Sequence, residues 1–329
     1  MLDWSDRHCR YFWRLITKKS FFYTEMLTTG AIIHGDKTRF LQFNKEEQPV
    51  ALQLGGSDKK ELAQCASWAE KWGYSEVNLN CGCPSNRVQS GMFGACLMAK
   101  PELVADGIKA MQDSCQIPIT VKHRIGIDEM ESYDEMLNFV DIIAKTGCKT
   151  FIVHARKAWL KGLSPKQNRE VPPLHYDWVY KLKQQRPELE IVINGGIDNL
   201  IACQQHLDHV DGVMIGRAAY KNPYLLNNVD QQFFAVDPLK KDCGAERDEI
   251  LLAYLPYIEQ QLSTGVSLGH MTRHILGLYQ KVPGAKIFRR HISENANLPG
   301  ADSRVVIDAL NLVKNARRET ELIAQSLKE

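Results

Sequence analysis

Up to about residue 220, short apolar runs alternate with longer amphipathic stretches. The runs FFYTEML (21–27), PVALQLGG (49–56), EVNLNCG (76–82), PITVKHRIG (118–126), KTFIVHAR (149–156), EIVINGGI (190–197) and DGVMIGRA (211–218) predict strands. Between them, KKELAQCASWAEKWG (59–73) and ESYDEMLNFVDIIAKTG (131–147) predict helices. The second places Met136, Phe139, Val140 and Ile143 on one face. Gly73 and Gly147 stand where helix C-caps belong. A β–α alternation with near-continuous apolar strands predicts a parallel α/β sheet covered on both faces.

Two architectures accommodate these strands. One is an open doubly wound sheet. The other is a (β/α)8 TIM barrel, which needs one strand more. MLDWSDRHCRYFWRLITKKS opens as a loop followed by a helix from Arg7 to Thr17. The first barrel strand is therefore expected to lie before Met1, truncated from this chain. Glycines after the last two strands favour the barrel. Past residue 235 the strand signals stop, and DEILLAYLPYIEQQLS, MTRHILGLYQ, FRRHISENA and SRVVIDALNLVKNARRETELIAQSL read as helices. The expected division is a barrel domain over 1–235 and a helical domain over 236–329.

The 329 residues are enough for a sizeable core. The formal net charge of +2 carries no bulk signal for a nucleic acid, so any such signal has to be local. One local signal exists. Residues 260–293 contain no Asp or Glu, yet hold Arg273, Lys281, Lys286, Arg289 and Arg290, with Tyr279 and Phe288 interleaved. A solvated helix face and a groove for a phosphate backbone both account for it. No secretory pattern opens the chain and no apolar run is long enough for a membrane span, so neither export nor a membrane is expected. Nine scattered cysteines suit a reducing cytoplasm better than a disulfide framework.

In a barrel, chemistry gathers at the C-terminal strand ends. Gln53, Asn80, Lys122, His154, Arg156, Asn194 and Arg217 fall there. Each alone could close a strand; together they converge on one ligand. Gly195 and Gly196 in NGGI, and Gly216 with Arg217 in IGR, follow the last two strands. Backbone N–H groups and a helix N-terminus can hold a phosphate at such places. Lys122 would set a cation at the pyrimidine edge of a flavin; otherwise it snorkels from a strand end. Cys81 and Cys83 in NCGCPS lack the four ligands of a structural zinc site, so no metal is expected. Cys83 is either an inert thiol or a general acid.

NLNCGCPS, GMFGACLM, VKHRIG, IVHARKAW, INGGI and MIGRAAY resemble the tRNA-dihydrouridine synthase family of FMN-dependent enzymes. MLDWSDRHCRYFWR, YTEMLTTGAIIHG, ALQLGGSD, LSPKQNREVPPL and GHMTRHILGLYQKVPGAK are similar to its A subfamily in particular. The resemblance covers essentially the whole chain. It implies reduction of uridines 20 and 20a in the tRNA D-loop, with FMN as carrier, NADPH as reductant and a helical domain that helps hold the tRNA. By that resemblance Cys83 is the proton donor. Gln53, Lys122, His154, Asn194, Gly195, Gly196, Gly216 and Arg217 contact FMN, and Asn80 lies near the base. Lys166, Arg169, Lys286 and Arg289 contact tRNA. The family's first strand ends in an Ala-Pro-Met-like turn against FMN, of which Met1 and Leu2 remain. Cys81 stands where a small apolar residue is commoner and is given no role.

A thiol suits the implied reaction. The C4 carbonyl of uracil makes C6 electrophilic, so hydride from FMN N5 lands there. The resulting enolate needs a proton at C5, from the face opposite the flavin. A cysteine thiol is mostly protonated near neutral pH and can supply it. The base must first be unstacked, at a cost of a few kcal/mol that phosphate contacts offset. The loop 155–174 is suited to that, with Arg156, Lys157, Lys161, Lys166 and Arg169 against Glu170 alone. No separate dinucleotide fingerprint is present, so the nicotinamide is expected to visit the flavin face. A monomer, with no DNA partner, is expected. Two alternatives stand beside this reading: a flavin barrel acting on a free pyrimidine, like dihydroorotate dehydrogenase, and an RNA-binding protein without catalysis.

Overall fold

The computed structural model describes residues 1–85, 91–235 and 246–326. It divides into two compact units, one formed by Met1–Asp3 with Phe21–Gly216, the other by Trp4–Ser20 with Arg217–Glu329. The expected boundary at 235/236 falls inside the second unit. Residues 236–245, where the helical domain is expected to begin, lie outside the described residues.

The first unit contains β1 (Phe22–Thr28), β2 (Val50–Gly55), β3 (Glu76–Cys81), β4 (Ile119–Arg124), β5 (Thr150–His154), β6 (Glu190–Asn194) and β7 (Gly212–Met214). All neighbours are parallel and follow chain order from β1 to β7. That order decides between the two architectures. A doubly wound sheet reverses its strand order at a switch point; this one advances without reversal, as a barrel does. Among the described residues β1 and β7 each pair on one side only, so the sheet is a curled, incompletely closed barrel.

Local signals explain the helices. Asp58 caps Lys59–Trp72 by accepting from the Lys60 and Glu61 amides, and Gly73 ends it at φ +88°. The helix predicted over 131–147 runs from Tyr133 to Ala144 and buries Met136, Phe139, Val140 and Ile143. It stops before Gly147 because Lys145 already caps it, and Gly147 takes the left-handed turn beyond at φ +94°.

Strand alternation positions the site. In β3, Val77, Leu79 and Cys81 form one row and Glu76, Asn78 and Asn80 the other, all buried. In β4, Thr120, Lys122 and Arg124 alternate with Ile119, Val121 and His123. The polar rows face the barrel interior. Lys122 of β4 bonds Asn194 of β6 across the intervening β5, which only a concave inner face permits.

The second unit holds helices Arg247–Ser263, Leu268–Thr272, Ala285–Asn295 and Arg304–Ser326. Three of the helical runs expected in the tail fall on these helices, whereas MTRHILGLYQ is helical only at Met271 and Thr272 and continues as a series of turns. The N-terminal helix Arg7–Ile16 belongs with these helices. His8 Nδ1 lies 2.7 Å from the Tyr257 hydroxyl, and the Tyr11 and Tyr257 rings stack with centroids 3.9 Å apart.

Candidate active site at the barrel mouth

β3 runs out of the barrel into Gly82, Cys83 and Pro84, and the turn there is tied from three sides. Asn80 Oδ1 accepts the amides of Gly82 and Cys83 at 2.9 and 3.0 Å. This is the local turn geometry to which asparagine is suited. The Cys83 carbonyl accepts the Ala95 amide at 2.9 Å. Arg124 Nε donates to the Gly82 carbonyl at 2.8 Å. The Cys83 side chain stays half-exposed, with Sγ 3.7 Å from Ser85 Oγ. Cys81, two residues earlier, is fully buried, and burial pushes its thiol far above the ordinary range.

Near this turn lies a cluster of buried cationic side chains. Lys122 Nζ donates to Asn194 Oδ1 at 3.1 Å, and Asn194 Nδ2 donates to the Met214 carbonyl at 2.8 Å. Burial, and then the Arg124 guanidinium, push Lys122 down to about 7. His154 ends β5. Burial, with the cations of Arg124, Lys122 and Arg156, holds it neutral, well below its usual value. Its Nδ1 is buried without a hydrogen-bond partner. An unpaired buried ring nitrogen beside concentrated positive charge is a costly arrangement unless a ligand completes it.

After β6, Gly195 and Gly196 adopt φ +117° and +72°. A Cβ on Gly196 would lie 2.7 Å from Leu174 Cδ1 and 3.0 Å from the Tyr176 hydroxyl, and the positive φ strains any side chain there, so glycine is favoured. Tyr176 donates to the Gly195 carbonyl at 2.6 Å and holds this turn. After β7, a Cβ on Gly216 would meet Met1 Sδ at 3.5 Å, which places Met1 beside that glycine. Gln53, Asn80, Lys122, His154, Asn194 and the two β6 glycines thus share one end of the barrel with Cys83. Arg217 begins the second unit, in the helix Arg217–Lys221.

Within the loop 155–174, Asn168 is fully buried. Its Oδ1 accepts the Trp159 amide at 2.7 Å, and its Nδ2 donates to the Trp159 and Leu163 carbonyls at 2.8 and 3.2 Å. Several of the loop's cations serve the loop itself. Arg156 bonds the Pro172 carbonyl, and Lys157 bonds the Asp128 carbonyl and Glu131 while lying 3.9 Å above the Trp159 ring. Lys166 is exposed, and Arg169 is half-buried in the turn Gln167–Arg169. Lys286 and Arg289, on Ala285–Asn295, line a cavity of about 600 Å³ with Gln280, Lys281, Gly284 and Ile287. That cavity belongs to the second unit.

Sequence reasoning passed over Arg124, Asn168, Asn78, Thr120 and Glu76. Arg124 joins three segments, since its Nη1 also donates to the carbonyls of Lys157 and Asn168 at 3.1 and 3.0 Å. The alternation E-V-N-L-N and T-V-K-H-R was the available signal: polar residues every second position in strands that packing alone would keep apolar. Among the described residues no cluster of His, Cys, Asp or Glu could hold a metal ion.

The family model for dihydrouridine synthase matches residues 1–314 of this chain. A tRNA-dihydrouridine(20/20a) synthase of Vibrio vulnificus (strain CMCP6) is 59% identical over 312 residues, covering 94% of each chain. The protein of the same name from Escherichia coli (strain K12) is 56% identical over 318 residues, covering 96% of this chain and 91% of that one. Among solved structures, morphinone reductase superposes with a TM-score of 0.51 at 10% identity, over 70% of this chain and 82% of the other, a likeness of fold. On the span of the family model and the identity to these relatives, this chain belongs to the dihydrouridine synthase family.

Proposed function

We propose that this protein reduces the C5=C6 bond of uridines 20 and 20a in the D-loop of tRNA, with FMN as its bound carrier and NADPH as reductant. The observation that carries the reading is Cys83, held half-exposed by Asn80 and Arg124 at the rim of a cationic barrel mouth. Its relatives' name gives the substrate class.

The residues at the mouth fit a flavin mononucleotide. The unpartnered His154 Nδ1 and the desolvated Lys122 want a polar, anionic ring edge. The glycine turns after β6 and β7 would let backbone N–H groups approach a phosphate, which the Lys122, Arg124 and Arg156 charges favour. Gln53 and Asn194 would orient the ring. Bound there, FMN supplies the hydride that uracil C6 receives. Asn80 would meet the base, and Cys83 would deliver the proton to C5. Lys166 and Arg169 of the barrel loop, and Lys286 and Arg289 of the helical unit, would hold phosphates, as would Arg217 on the cofactor side. The free thiols of the described residues suit a reducing cytoplasm.

The test is made on the purified full chain with uridine-bearing tRNA and NADPH. Wild-type protein is expected to show a flavin absorption band and to add two hydrogens to uridine, detected by nucleoside mass spectrometry. Cys83→Ala should keep the band and NADPH oxidation and lose at least about a hundredfold in uridine reduction, within the usual span for a general acid. A Cys83→Ala protein as active on tRNA as wild type would remove the donor role. Activity on free pyrimidines but not on tRNA would overturn the substrate.

A further inference from the structure

The barrel interior holds a series of hydrogen bonds that all point one way. The Cys83 amide donates to Asn80 Oδ1 at 3.0 Å, and Asn80 Nδ2 donates to Gln53 Oε1 at 2.9 Å. Gln53 Nε2 donates to Asn78 Oδ1 at 3.1 Å, and Asn78 Nδ2 to Thr120 Oγ1 at 2.8 Å. Thr120 Oγ1 donates to Glu76 Oε1 at 2.6 Å. Each of these amides and the hydroxyl could turn the other way. Every one accepts on the Cys83 side and donates on the Glu76 side. Such a chain polarises itself and needs a pure acceptor at its end.

Glu76 ends the chain and is a pure acceptor when ionised. It is the first residue of β3, on the same inner row as Asn78 and Asn80, and only 8% exposed. Burial pushes its carboxyl up to about 7, against the hydrogen bonds from Thr120 and Tyr23, and Glu190 of β6 adds like charge. Tyr23 of β1 and Cys148, before β5, are titratable groups that feel it. A carboxylate in so expensive a place is poorly explained by packing. Were the chain reversed, Asn80 would present its NH2 group to the Gly82 and Cys83 amides. Donor would face donor, and the turn under the thiol would come loose.

We propose that Glu76 and Thr120 are positioning residues: they anchor the chain that sets the amide orientations of Gln53 and Asn80 and, through Asn80, the backbone that carries the Cys83 thiol. This rests on the reading of Cys83 as proton donor. Thr120→Val removes the hydroxyl at constant shape, Glu76→Gln lets the terminus donate and so permits reversal, and Thr120→Ser keeps the hydroxyl.

Two readouts are taken on the whole chain. The first is amide hydrogen exchange at Gly82 and Cys83, which needs no substrate. Thr120→Val and Glu76→Gln are expected to speed it about tenfold, and Thr120→Ser to leave it near wild type. The second is single-turnover uridine reduction at saturating tRNA. It should fall about ten- to a hundredfold in the first two variants and return in Thr120→Ser. In wild type this rate should fall as pH drops below about 7 and Glu76 takes a proton, while Glu76→Gln lacks that limb. Wild-type exchange and wild-type rates in both Thr120→Val and Glu76→Gln would overturn the proposal. Wild-type protein that fails to reduce uridine would instead overturn the functional reading, and the exchange comparison would still decide the chain.

Discussion

Lys122 sits inside the barrel near Arg124, with Asn194 for its hydrogen-bond partner. Its ordinary value of 10.5 is pushed down to about 7 by burial and Arg124. Between those limits the unfolded chain holds more protons than the folded one, so this group's contribution makes stability rise with pH across that window. An anionic ligand at Lys122 would reverse the shift. Binding of FMN to the apoprotein at pH 8 should therefore take up close to one proton, measured by calorimetry in buffers of different ionisation heat. Lys122→Met should lose that uptake; uptake unchanged in the variant would show that another group titrates. The same residue illustrates legibility. VKHRIG pointed to Lys122 by its place in a strand, while Arg124, two positions on, drew no assignment. Its function is to bond the Gly82, Lys157 and Asn168 carbonyls, and those partners lie between 33 and 44 residues away in sequence.

Among the elements, the loop after β5 shows how a basic segment acquires a shape. Its charge was readable from sequence, and its length marked it as functional. The division of labour among its cations was not, because Arg156 and Lys157 are committed to the Pro172 and Asp128 carbonyls while Lys166 stays exposed. Asn168 is the organising side chain. Asn168→Ala would leave the Trp159 amide and carbonyl without that partner, at a cost of about 1–3 kcal/mol. Limited proteolysis should then cut between 157 and 171 faster than in wild type, with the flavin spectrum retained and tRNA affinity reduced. An unchanged cleavage rate would mean that Arg124 holds the loop unaided.

For the whole molecule, the near-neutral balance of +2 hides local basic surfaces on both units. If these meet the tRNA backbone, log affinity should fall with log salt by about 0.7–0.9 for each phosphate neutralised. Lys286→Ala and Arg289→Ala should each lower that slope by about one contact and leave NADPH oxidation alone. A filter-binding series that is flat in salt would remove the phosphate groove. The amino-acid sequence by itself determined the strand and helix alternation, the helical tail and the residues gathered at the barrel mouth. Those follow from local periodicity and from residue chemistry at strand ends. The strand order decided for the barrel, because pairing partners are a long-range matter on which an apolar run is silent. Tertiary structure likewise assigned the N-terminal helix to the second compact unit, through ring packing against residues some 250 positions away. It also joined Glu76 to Cys83, since side chains on three neighbouring strands complete a hydrogen-bond chain only when the register aligns them.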